Sequence, residues 1–182
     1  MTKRKNQKFD IRGVNHLALT CRDMKRTVEF YSGVLGMPLI KTIDLPRGMG
    51  QHFFFDIGNG DSLAFFWFPD APESEPGITH PAHMVGKGSL TTAHASMNHV
   101  AFDVAPDKID EYRERLAKAG IDVTPVVNHD DSESQASKEI TPTTFVRSLY
   151  FRDPDGIMLE FAAWTRELDE RDVNVEPAAA AS

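Results

Sequence analysis

Cysteine is almost missing. Cys21 stands alone in 182 residues, which excludes an internal disulfide framework and every Cys-rich metal motif. Long apolar runs are missing too: none approaches the ~18 residues that a membrane span needs. The basic start Met1-Thr2-Lys3-Arg4-Lys5 leads into Asn6, Gln7 and Asp10 rather than an apolar stretch, so no secretory leader is expected. Positive charge is in deficit, with 20 Lys+Arg against 27 Asp+Glu and a formal net charge of -7. That balance argues against nucleic acid or an anionic membrane as the main partner. What remains, 41% hydrophobic and 26% charged, is the composition of a globular chain with a real core, expected to be soluble and cytoplasmic. Its length suits one domain or two very small ones.

The chain repeats itself. Gly13-Val14-Asn15-His16-Leu17-Ala18-Leu19-Thr20 reads as a strand, followed by a helix capped by Asp23, with Met24, Val28, Tyr31 and Leu35 at helical spacing and Gly36 at its end. Strands are then expected at 39–43, 52–57 and 62–68, with a turn at Gly58-Asn59-Gly60-Asp61. The same order returns from Met97-Asn98-His99-Val100-Ala101-Phe102. A helix opens at Pro106 and Asp107 and closes at Gly120. Strands are expected at 123–127, 145–151 and 157–163, with Asp153-Pro154-Asp155-Gly156 as the turn. The fold class is therefore α+β, two tandem βαβββ modules. The boundaries are 12–69 for the first module, 70–95 for a linker or lid, 96–164 for the second module and 165–182 for a tail. Residues 130–144 read as an insertion in the second module. The tail is read as mobile after one short helix.

His16 and His99 occupy the same place in the two copies. Glu160 lies in the final strand between Leu159 and Phe161, where an unpaired carboxylate would be costly to bury. Two histidines and one carboxylate on strands make the facial set of non-haem Fe(II) oxygenases. Aligning Gly60 with Gly156 makes Ala64 the counterpart of Glu160, and alanine cannot ligate.

The paired βαβββ order, the two histidines and Leu159-Glu160-Phe161 resemble the vicinal oxygen chelate superfamily, which includes glyoxalase I, fosfomycin and bleomycin resistance proteins and type I extradiol dioxygenases. The resemblance spans residues 12–164. It implies curved sheets forming a cup around a divalent metal held by His16, His99 and Glu160. It also implies a homodimer or higher homo-oligomer. The run Leu149-Tyr150-Phe151-Arg152-Asp153-Pro154-Asp155-Gly156, ten residues from Tyr150 to Glu160, together with Val127-Asn128-His129, resembles the extradiol enzymes more narrowly. That likeness implies Fe(II), with Mn(II), Zn(II) or Ni(II) as alternatives, and a catechol-type aromatic plus O2 as substrates. Tyr150 and His129 would hydrogen-bond substrate oxygens, and His83 would accept a proton, with His80 and His94 as rivals. Phe53, Phe65, Trp67 and Phe145 are the expected wall of the substrate pocket. The competing expectations are a glyoxalase-type lyase or isomerase and a bleomycin-resistance-like binder without catalysis.

Overall fold

The structure, a computed structural model, describes residues 8–178. The basic start at Met1–Lys5 and the last four residues of the tail lie outside that range. The element order is β1 (His16–Thr20), α1 (Met24–Val28), β2 (Leu39–Asp44), β3 (Gln51–Gly58), β4 (Asp61–Trp67), β5 (Val100–Asp103), α2 (Ile109–Lys118), β6 (Val127–His129), β7 (Val146–Arg152) and β8 (Met158–Trp164), with a short 3-10 turn at Glu170–Asp172 in the tail. The strands make two four-stranded sheets of identical topology, β1-β4-β3-β2 and β5-β8-β7-β6. In each, the opening strand lies parallel to the closing one and the other pairs are antiparallel.

Asp23 caps α1 as its position predicts, accepting from the Arg26 N–H at 3.1 Å. The expected single α-helix then widens into a π-helix over Glu29–Val34. Within it two consecutive large rings, Phe30 and Tyr31, are both buried, at 6% and 0% exposure; the wider turn brings neighbouring side chains somewhat nearer to one face than the α-helical step of 100° does. In the second half the expected strand over 123–127 is displaced to β6. Pro125 lacks the N–H a ladder needs, and only Val123 makes an isolated bridge, to Phe151. The 130–144 insertion folds back on β6: the Asn128 amide donates to the carbonyls of Ser137 and Lys138 at 3.1 and 2.9 Å. Phe145 N–H still donates to the His129 carbonyl at 2.9 Å, so the strand register survives the insertion.

One face of each sheet carries the core. Leu63, Phe65 and Phe55 of the first sheet join Leu149, Phe151 and Leu159 of the second in a single cluster, closed by Tyr31, Ile109 and Leu116 from the helical segments. Polar contacts lock the halves together beside it. Tyr31 donates to Asp153 Oδ2 at 3.2 Å and Arg22 N–H to Asp155 Oδ2 at 3.1 Å. Burial pushes the Asp153 carboxyl up to about 6.

The linker is strapped to the second half of the chain. Arg152 donates to the Pro81 carbonyl at 2.7 Å, Lys87 pairs with Asp122, and Met84 packs on Tyr150 and Met158.

Candidate metal and proton-transfer site

The opposite face of each sheet carries the expected site residues. Because side chains alternate along a strand, the register decides which residues share that face. In the second sheet Ala101 pairs with Glu160 and Glu160 with Tyr150, which puts His99, Glu160, Tyr150 and Ser148 together. His129, opposite Val146, joins them. In the first sheet Ala18 pairs with Ala64 and Ala64 with Phe54. Ala64 is thus the structural counterpart of Glu160, and the corresponding face holds His16, His52, Phe54 and Phe66.

His99 and Glu160 meet. Nε2 lies 2.9 Å from Glu160 Oε2, close to the ~3 Å between cis donors on an ion with ~2.1 Å bonds. Burial pushes the Glu160 carboxyl up, but the His99 hydrogen bond, with the Ser148 and Tyr150 hydroxyls, outweighs it and leaves the group below its ordinary range. Tyr150 and His129 also meet, hydroxyl to Nε2, at 3.1 Å. Burial and the Glu160 charge raise the Tyr150 phenol well above its usual value, so it stays protonated. On the other ring nitrogen, both expected metal histidines bond the asparagine before them: Nδ1 of His16 and of His99 each lie 2.8 Å from Oδ1 of Asn15 and Asn98. Each Nε2 is then the nitrogen available to an ion. The donor set fits a divalent metal of nitrogen and oxygen preference.

His16 does not join His99 and Glu160 within one chain. Among the described residues no three His, Cys, Asp or Glu side chains gather as a metal site. The His16 ring instead sits edge-on to Phe54 at 5.7 Å. Within a single chain the expected ligands are thus divided, with His99 and Glu160 on one sheet and His16 on the other.

The register places three of the four expected wall residues away from this face. Phe53 pairs with Phe65, two residues from Trp67, and all three lie on the core face. Phe65 is fully buried, 4.8 Å from the Tyr31 ring, and Trp67 donates to the Arg22 carbonyl. Alternation places Phe54 and Phe66 on the open face instead, with His52 stacked on Phe66 at 3.6 Å. Phe145 stands beside His129, ring centroids 6.5 Å apart. His83 is exposed and covers Gly88, so it does not reach Tyr150 or Glu160. The linker side chain that does reach Tyr150 is Met84, a residue without a polar signal to single it out. His80 is buried against Gly156, where it packs a turn, and His94 is exposed.

Two matched four-stranded sheets, with the expected ligand residues on the face away from the core, define a duplicated α+β scaffold. The chain belongs to the Glyoxalase/Bleomycin resistance protein/Dioxygenase superfamily, whose family model matches residues 13–161. Metallothiol transferase FosB of Shouchella clausii is 28% identical, covering 82% of this chain and 79% of its own. MhqE of Bacillus subtilis, which carries the name of a ring-cleaving dioxygenase, is 28% identical over 60% of this chain but only 32% of its own length. The solved glyoxylase/bleomycin resistance protein/dioxygenase domain from Frankia sp. EAN1pec superposes with a TM-score of 0.60 at 22% identity, covering 85% of this chain and 98% of that one, a likeness of fold. Among the described residues no helix is long and apolar enough to cross a membrane.

Proposed function

We propose that this chain is a metal-dependent enzyme that works as paired copies and cleaves the ring of a catechol-type aromatic with O2. The observation that carries the reading is the Tyr150–His129 hydrogen bond on the face that holds His99 and Glu160. A chelating diol must lose protons as it binds, and a phenol–imidazole pair beside the ligands supplies an acceptor and a relay. His129 takes the role expected of His83.

Pairing follows from the divided ligand set. β1 and β5, which carry or follow the two histidines, are both sheet edges. His16 of the partner subunit would complete the set with His99 and Glu160. Fe(II) suits two imidazoles and one carboxylate and would supply Lewis acidity and an electron path between the diol and O2. Ala64 leaves the fourth family position without a donor, which frees coordination sites for both oxygens of a diol. Phe54 and Phe66 give the ring an apolar surface, and Met84 closes the side beyond Tyr150. Both atoms of O2 enter the ring-opened product, so no external reductant is needed.

A second reading, transfer of a thiol to a small substrate, is favoured by the match to FosB along most of both chains. The two are separated by loading the protein anaerobically with Fe(II). One sample receives a catechol panel and O2, another fosfomycin and a thiol with Mn(II). Oxygen uptake with a yellow ring-fission product supports ring cleavage. Thiol consumption without oxygen uptake overturns it.

A further inference from the structure

Each expected metal histidine is preceded by an asparagine whose Oδ1 faces Nδ1. The two asparagines are not held alike. Asn98 Nδ2 donates to the Leu90 carbonyl in the linker at 2.7 Å. Among the described residues no linker group bonds Asn15. The difference has a chemical consequence. A carbonyl only accepts, so the Leu90 contact fixes which end of the Asn98 amide is nitrogen. Oδ1 is left for His99, and Nδ1 must carry a proton. Nε2 is then the nitrogen that faces Glu160 and is presented to an ion. The linker that supplies the carbonyl is itself anchored to the second half, through Arg152 of β7 and through the Lys87–Asp122 pair at the loop after α2.

We propose that Asn98 is a positioning residue for His99, clamped by the linker: the Leu90 carbonyl sets the amide, the amide holds the Nδ1 proton, and the imidazole is presented with Nε2 toward the ion. The proposal rests on reading His99 as a metal ligand, so the test keeps the two apart. Full-length protein labelled with 15N-histidine is examined metal-free by NMR for the His99 Nδ1–H, and Zn(II) affinity is measured by competition with a chromophoric chelator. Wild type should show the 15N shift of a protonated, hydrogen-bonded Nδ1. Asn98→Leu should lose it and bind Zn(II) roughly 10- to 100-fold more weakly, the range for groups that orient metal ligands. Asn98→Asp keeps an acceptor for Nδ1–H, so it should retain the signal and bind more tightly than Asn98→Leu. An Asn98→Leu protein with the wild-type signal or affinity overturns the proposal. So does an Asn98→Asp protein that loses the signal, the decisive variant if Asn98→Leu does not fold. Wild type that takes up no Zn(II) sinks the ligand reading, while the metal-free signal still decides whether Asn98 holds His99.

Discussion

Tyr31→Phe should expose how the two halves are joined. The hydroxyl is the one polar atom the change removes, and Phe fills the same fully buried space, so no cavity opens. Its partner Asp153 keeps the N–H groups of Asp155 and Ile157 at 2.9 and 2.8 Å. A hydrogen bond to a charged group contributes about 1.5–3 kcal/mol, and one to a neutral group about 1 kcal/mol. Asp153 is charged above about 6 and neutral below it. Because this folded-state value is raised above that of an unfolded Asp, the folded chain holds the proton more tightly. Stability from this group therefore rises as pH falls from about 6 to about 4 and is lost as pH rises through that window. Tyr31→Phe should cost about 2–3 kcal/mol at pH 8, or ~4–12 °C in Tm for a chain of this size, and about 1 kcal/mol at pH 4.5. Thermal and urea unfolding at both pH values measure it. An equal loss at the two pH values would refute the assignment of Asp153 as the buried, charged partner.

Three further outcomes are expected. His16→Ala and Glu160→Ala should each abolish activity, yet mixing them after unfolding and refolding together should restore about a quarter of it, since half of the pairs formed are mixed and each carries one intact site; no recovery in the mixture would place all three ligands within one chain. Gly50→Ala should unfold the protein or lower its expression sharply, because a Cβ there would lie 1.9 Å from the Trp67 carbonyl oxygen at a φ of +141°, and a variant that melts within ~2 °C of wild type would show that the loop has room to shift. Met84→Ala should lower stability by about 2 kcal/mol and reduce turnover with the preferred catechol through lost packing on Tyr150; unchanged turnover in a folded variant would remove the linker from the substrate wall.

Much of the fold was legible because it occurs twice. The Asn-His-apolar-Ala pattern, the two glycine-closed helices and the turns at Gly60 and Gly156 placed each opening strand against its counterpart, and the register pairs Ala64 and Glu160 with equivalent neighbours. Alternation, read one residue further, would have put Phe53 and Phe65 on the core face and Phe54 and Phe66 on the open one. Aromatic rings occupy both faces of β3 and β4, Phe53 and Phe65 on one and Phe54 and Phe66 on the other, so hydrophobicity alone gave no sign of which face was which. His83 was chosen on spacing within a segment that has no periodicity. The linker's course is decided by contacts distant in sequence, from Arg152 to Pro81 and from Met84 to Tyr150, and neither leaves a local pattern. Nor does a sequence say whether duplicated halves close on each other or on another copy.

The edge position of β1 has a consequence for the life of the protein in a cell. An open strand edge is a template for indiscriminate pairing, and here two such edges lie beside the residues that would bind the ion. If pairing between copies covers the edges and completes the donor set together, metal uptake depends on protein concentration as well as on metal supply. Scarce metal would then leave more chains unpaired, with their edges open to aggregation, so solubility would report on metal status.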